Sequence, residues 1–149
     1  MTETLTRQRE GIAKHESTHA VMANHLLGDA LQSVELMSDK GCCRLKPVKG
    51  MRVSNWKIVE LAEREHCERV IMMLLANGAN GDGRDHDQAF EIAMELDGDR
   101  DAAQLHIEYL SRQAELIVQK LGPQITRLSE ALVRHGKLSG GEVEAILSK

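Results

Sequence analysis

The chain has 149 residues and a formal net charge of −4, and 42% of its residues are hydrophobic. This length is sufficient for one domain with a sizeable buried core. The negative charge gives no electrostatic basis for binding nucleic acid or an anionic membrane surface. The N-terminus lacks the apolar core of a signal peptide, and the longest apolar run, residues 70–76, is far too short to cross a bilayer. We therefore expect a soluble protein.

Composition favours a mainly α fold (α+β), because the chain has only 2 prolines and is rich in good helix formers. With 1 Phe, 1 Tyr and 1 Trp, the core must consist of aliphatic side chains and methionine. The 3 cysteines are an odd number, and Cys42 and Cys43 are adjacent, which makes a poor disulfide framework. We interpret all of them as small apolar side chains in a reduced, cytoplasmic compartment.

The first predicted helix covers about residues 5–27, ends at Gly28 and contains a His-Glu-x-x-His motif. Side chains four residues apart share a helix face, so His15 and His19 can offer two imidazole nitrogens to one zinc ion. Glu16 lies one step round the helix, where it can reach a water on that metal but is badly placed to be a ligand. Uncharged flanking residues favour this interpretation over a pair of structural histidines.

A β-hairpin is predicted next, with strands over residues 31–37 and 42–48 and a turn between them. Val34 and Leu36 occupy alternating positions on the first strand. A strand beside a metal site would hold an extended peptide through main-chain hydrogen bonds. A hairpin that only covers the core is the alternative, and the sequence alone does not decide between the two.

A basic loop over residues 49–52 precedes a second helix, which Ser54 or Asn55 can cap and which extends to about residue 77. Its second half, residues 70–76, is apolar on every side, so we predict a central buried helix. The glycine-rich turn that follows lacks the Gly-Lys-Ser/Thr sequence of a phosphate-binding loop.

A third helix opens with acidic residues in its first turn, where carboxylates commonly cap the helix or compensate its dipole. A sharper interpretation is that one polar side chain here completes the metal site. The residues alone leave four candidates, which are Asp82, Asp85, His86 and Asp87.

The remaining segments are predicted as helical scaffold or assembly surface. Helices are expected over residues 101–121 and 125–135, separated by Gly122 and a proline. Ser139, followed three residues later by Glu142, is a capping box and predicts a last short helix to residue 147.

Taken in chain order, these motifs and predicted elements resemble the zinc peptidase domain of the FtsH family of ATP-dependent membrane proteases. His-Glu-Ser-Thr-His-Ala at residues 15–20 is similar to the family's His-Glu-Ala-Gly-His-Ala. The Val34-Glu-Leu-Met strand with Gly41 looks like the hairpin after the family's active-site helix. Residues 85–93 are similar to the family's Asp-Leu-x-x-Ala-Thr-x-Ile-Ala, and residues 125–147 look like its C-terminal helices.

The resemblance covers most of the chain and implies a single zincin-like peptidase domain over residues 1–149. Within it, about residues 1–100 would form the metal-site core and about residues 101–149 the C-terminal helical scaffold. The motif departs from the family where Ser17-Thr18 replaces Ala-Gly.

Carried over by position, the resemblance implies that His15, His19 and Asp85 bind one zinc ion and that Glu16 is the catalytic base. Three protein ligands leave the fourth position for water, as in catalytic zinc sites. The expected activity is a metalloendopeptidase that cleaves unfolded or flexible polypeptides. The hairpin would hold the substrate, and the residues expected beside it are Val34, Leu36 and Gly41.

The sequence contains neither an ATPase motif nor a transmembrane segment, so we expect activity that is independent of ATP, or a separate ATPase or unfoldase partner. The family forms hexameric rings, which makes a homo-oligomer a further expectation. Two other readings stay open. One is a non-catalytic FtsH-like zinc-binding module that acts in partner binding or regulation, and the other is a plain helical domain with structural histidines.

Overall fold

The computed structural model describes residues 3–46, 64–78 and 83–149. These residues form a mainly helical fold with a small antiparallel sheet, which confirms the predicted fold class. The helices are α1 (Glu3–Leu27), α2 (Arg64–Leu74), α3 (Gly83–Asp97), α4 (Arg100–Lys120), α5 (Gly122–His135) and α6 (Gly140–Leu147), and the strands are β1 (Leu31–Leu36), β2 (Gly41–Leu45) and β3 (Lys137–Ser139). The predicted loop over residues 49–52, the predicted caps Ser54 and Asn55, and Asp82 lie outside the described residues.

The chain divides into two compact units, one formed by Met1–Lys46 with Lys120–Lys149 and the other by Pro47–Gln119. In the first unit, α1 packs against α5 and the sheet. Fully buried small residues on α1, among them Ala13 and Ala20, allow this close approach. From α5, Leu128 and Leu132 enter the core completely. The part of α1 that carries the His-Glu-x-x-His motif is therefore held by buried contacts, since the buried residues of this helix lie between positions 13 and 23.

The sheet of the first unit has the order β2-β1-β3, and both neighbouring pairs are antiparallel. The predicted hairpin corresponds to β1 and β2, closed by a 2.7 Å hydrogen bond from Met37 N to Lys40 O. An irregularity between Leu31 and Ser33 shifts the register, so the buried positions are Leu31, then Val34 and Leu36. Strand β3 was not predicted, because three residues carry too little alternating pattern to identify a strand.

In the second unit, α2 packs against α3. The predicted buried segment over residues 70–76 is confirmed, since all of these residues except the half-buried Met72 are buried. The described part of the helix ends at Leu74, a few residues earlier than predicted. From α3, Ile92 and Ala93 fill the same core. This packing positions the first turn of α3, which contains Asp85.

The C-terminal helices follow the predictions closely. Helix α4 ends at Lys120 and α5 begins at Gly122, so the Gly-Pro pair opens α5 instead of separating the two helices as predicted. Proline is tolerated there because the first turn of a helix does not use its backbone N–H. The predicted capping box at the start of α6 is confirmed: Glu142 N donates to Ser139 Oγ at 3.1 Å, and Ser139 N donates to Glu142 Oε1 at 3.0 Å. Among the helices described, none combines the length and apolarity needed to cross a membrane.

Candidate metal centre

The His-Glu-x-x-His motif lies in the middle of α1 and presents its two histidines one turn apart. The ring centroids of His15 and His19 are 4.8 Å apart, and the ring planes meet at 81°. His19 is buried, with 6% of its surface exposed, whereas the His15 side chain keeps 25%. Because His15 is the more open of the two, a ligand or solvent would reach the pair from its side.

Asp85 is the residue of the α3 N-terminus that joins these histidines. His15, His19 and Asp85 form a group that could hold a metal ion, since each offers one ligand atom and these atoms all lie within 4.8 Å of one another. Of the other candidates from the sequence, His86 and Asp87 are exposed and belong to no such group in the described part of the chain. His86 instead places Nε2 at 3.3 Å from the carbonyl oxygen of Gly78.

The donor set fits a divalent transition metal. Two imidazole nitrogens and one carboxylate oxygen are the protein ligands of a known class of catalytic zinc site. Around a tetrahedral zinc with ligands at about 2.0–2.1 Å, neighbouring ligand atoms are about 3.4 Å apart. The three ligand atoms here lie within 4.8 Å of one another, so they must draw closer together to coordinate one ion. Ferrous iron also accepts two histidines and one carboxylate, so the donor set by itself does not identify the metal.

Glu16 lies beside this group without being a member of it. Its Oε1 is 3.9 Å from His15 Nε2, and its side chain is 12% exposed. The next residue, Ser17, is fully buried, and its Oγ has no hydrogen-bond partner among the described residues. Thr18 differs, because its hydroxyl donates to the Lys14 carbonyl oxygen at 2.7 Å. Glu16 thus has the only acidic side chain of the motif, and its carboxylate lies next to His15, the more open of the two histidines.

The three residues predicted to lie beside a substrate occupy different environments. Val34 and Leu36 are buried, and their strand β1 is paired on both sides. Gly41 begins β2, which forms an edge of the sheet in the described part of the chain, and it lies directly against Glu16 and Ile12. Because β2 lies at an edge and β1 is paired on both sides, an extended peptide could pair with β2 but not with β1.

None of the 3 cysteines is in a disulfide in the structure: Cys42 and Cys43 are half-buried on β2, and Cys67 is buried in α2. Arg44 Nε donates to Cys42 Sγ at 3.4 Å, and this hydrogen bond raises the pKa of Arg44. We assign the cysteines no part in the metal group.

A cluster of charged side chains within the second unit was not predicted from the sequence. His106 on α4 is held between two carboxylates, with Nδ1 at 2.8 Å from Asp97 Oδ2 and Nε2 at 2.8 Å from Glu68 Oε2. Arg64 also donates to Asp97, at 2.9 Å. The two carboxylates contact opposite sides of one imidazole ring, so they do not converge on a common metal position.

The pKa shifts in this cluster follow from its geometry. Burial disfavours the charged form of His106, but the hydrogen bonds that its ring donates to Glu68 and Asp97 outweigh this effect and raise its pKa above the ordinary 6.5. Burial likewise disfavours the Asp97 carboxylate, yet the hydrogen bonds from Arg64 and His106 hold its pKa below the ordinary 3.8. No local sequence signal marks these residues, because the contact between Glu68 and His106 spans 38 positions.

No protein-family model and no curated protein matches the sequence.

Proposed function

We propose that the protein is a zinc-dependent metalloendopeptidase that hydrolyses peptide bonds in unfolded or flexible polypeptides, and that it is a peptidase domain of the FtsH type. The observation that carries this proposal is the group of His15, His19 and Asp85, which could hold a metal ion, with the Glu16 carboxylate beside it. The sequence resemblance supports the same conclusion and rests in part on the same residues.

Each residue has a separate role in the proposed reaction. His15, His19 and Asp85 would hold the ion, and three protein ligands are the number typical of a catalytic zinc site. A bound zinc would supply Lewis-acid chemistry, which lowers the pKa of water to about 7 and polarises a carbonyl. Glu16 accepts the proton of the attacking water and then returns it to the leaving amine. Its low exposure keeps most bulk water away from the carboxylate, which favours this transfer.

The substrate class follows from the edge strand. A polypeptide that pairs with β2 must be extended, so folded proteins are excluded and flexible segments are accepted. A peptide on β2 would pass Gly41, which contacts Glu16, and would therefore bring its backbone near the base. An ATPase or unfoldase partner, a homo-oligomer and a cytoplasmic location stay predictions from the sequence.

Metal content and casein cleavage test the proposal together. We expect one zinc ion per chain by elemental analysis, and cleavage of casein that stops on chelation and returns with zinc. Glu16→Gln should lower kcat by about 10²–10⁴-fold while zinc stays bound, because only the proton transfer is lost. Glu10→Gln, on an exposed position of the same helix, is the matched control and should behave like wild type.

The third ligand has its own test. Asp85→Asn should weaken zinc binding measurably, whereas Asp87→Asn, two residues further on and exposed, should not. A protein that binds no divalent metal would contradict the proposal. A zinc-loaded protein that cleaves no peptide would replace it with the alternative of a non-catalytic zinc-binding module, and equal activity in Glu16→Gln would exclude Glu16 as the base.

A further inference from the structure

We propose that Gly41 is a positioning residue for the catalytic base, and that the absence of a side chain at this position sets where the Glu16 carboxylate lies. This inference rests on the proposed function. The inference adds to the proposed function that Gly41 determines the position of Glu16, instead of contacting the substrate.

The contact between β2 and α1 has no space for a side chain at position 41. A methyl group added there would lie 2.9 Å from Ile12 Cγ2 and 3.1 Å from Glu16 Cδ, and closer still to Glu16 Cγ. Carbon atoms in ordinary contact are about 3.5–4.0 Å apart. The three nearest atoms thus belong to Ile12 and Glu16, and the stem of Glu16 lies directly on the glycine backbone.

The requirement for glycine here is steric and not conformational. Among the described glycines, those with positive φ are Gly28, Gly78, Gly98 and Gly136, and Gly41 does not belong to them. Its backbone is regular strand, paired with Leu36. An alanine at this position would therefore meet no backbone strain, and the nearest obstacle to it is the packing of Ile12 and Glu16.

This packing constrains the carboxylate from two sides. Ile12 and Glu16 are four residues apart on α1 and share one face of the helix. Because Ile12 is β-branched, its χ1 angle is stiff in a helix and Cγ2 cannot easily move away. An added methyl group must then displace the Glu16 stem, and with it a carboxylate whose Oε1 now lies 3.9 Å from His15 Nε2.

The kinetic consequence differs from that of a substrate contact. A general base must lie within hydrogen-bond reach of its proton, and a displacement of about 1 Å costs about 10²-fold in rate. Displacing Glu16 should therefore lower kcat and leave KM unchanged. If Gly41 served instead to let the substrate approach β2, its replacement would raise KM and leave kcat unchanged.

The experiment compares Gly41→Ala with Gly11→Ala. Gly11 lies on α1, and a methyl group added there meets nothing within 4 Å, so this variant controls for the substitution itself. For Gly41→Ala we expect kcat on casein to fall about 10²-fold with unchanged KM and zinc content. For Gly11→Ala we expect no loss. A wild-type kcat, or a rise in KM alone, in zinc-loaded Gly41→Ala would overturn the inference.

A crystal structure of Gly41→Ala tests the positioning without reference to activity. We expect the Glu16 carboxylate to move by more than about 1 Å while the His15 and His19 rings stay in place; an unmoved carboxylate would overturn the inference. If wild type cleaves nothing, the proposed function fails, and this structural comparison still decides the role of Gly41.

A second variant approaches the same contact from α1. Ile12→Ala removes Cγ2 and loosens the Glu16 stem without changing any residue of β2. We expect lower kcat at unchanged KM and zinc content, so the inference can be tested even if Gly41→Ala does not fold. An unchanged kcat in folded, zinc-loaded Ile12→Ala would count against it.

Discussion

Replacing His106 tests whether the charged cluster of the second unit stabilises the fold through the charge on its imidazole. His106→Ala removes two hydrogen bonds of 2.8 Å, one to Asp97 and one to Glu68. The side chains of His106 and Asp97 are only 12% and 11% exposed, so solvent replaces these bonds poorly. Glu68, with 30% exposure, recovers part of its hydration.

The expected magnitude follows from these contacts. A hydrogen bond to a charged group contributes about 1.5–3 kcal/mol. Glu68 regains water and Asp97 keeps its 2.9 Å bond to Arg64, so we expect less than the full sum. His106→Ala should lower the free energy of unfolding by about 2–3 kcal/mol near pH 5.5.

The pH dependence has a definite sign. The folded-state pKa of His106 is raised above 6.5, so its stabilisation is fully present below pH 6.5 and is lost as the pH rises through the folded-state pKa. A neutral imidazole has one N–H and can donate to only one of the two carboxylates. Asp97 has a lowered pKa, so its contribution is present above its ordinary 3.8 and is lost only in stronger acid.

Urea unfolding of wild type and His106→Ala, followed from about pH 5.5 to about pH 9, measures this difference. We expect the destabilisation to shrink with rising pH. His25→Ala removes an exposed histidine and serves as the control, with an expected effect within about 0.5 kcal/mol. A destabilisation by His106→Ala that is constant or grows across this range would contradict the charged-cluster argument.

Three further predictions concern the first unit, and equilibrium unfolding measures each of them. Leu128→Ala should destabilise by about 2–5 kcal/mol, because Leu128 is fully buried; the same change at Leu5, which is 53% exposed, should have little effect. Ser139→Ala should cost about 1 kcal/mol through loss of the α6 capping box, and an unchanged stability would show that the cap contributes nothing. Ser17→Ala should be neutral or stabilise by up to about 1 kcal/mol, since the buried Oγ has no partner among the described residues; a clear destabilisation would reveal one.

Most elements of this fold follow from local signals. The helix period and Gly28 predicted α1, alternation and a polar turn predicted the β1–β2 hairpin, and Ser139 with Glu142 predicted α6. These signals act over a few residues, through backbone hydrogen bonds and caps, so they can be identified without knowing the tertiary structure. The spacing of His15 and His19 is of the same kind, because four residues on a helix determine a shared face.

Other features depend on contacts between distant parts of the chain. Strand β3 is a strand only because Ser33, Val34 and Glu35 pair with it. From the residues alone, the third member of the metal group stayed open among four polar side chains, since periodicity does not show which of them approaches the histidines.

The same limit applies to the environments of single residues. Gly41 was predicted to lie beside the substrate, yet its closest side-chain neighbours are Glu16 and Ile12 on another element. His106 carried no sequence signal at all, and only the packing of α4 places it between Asp97 and Glu68. Local sequence therefore determines which groups can do the chemistry, whereas tertiary packing decides which of them meet and how tightly each is held.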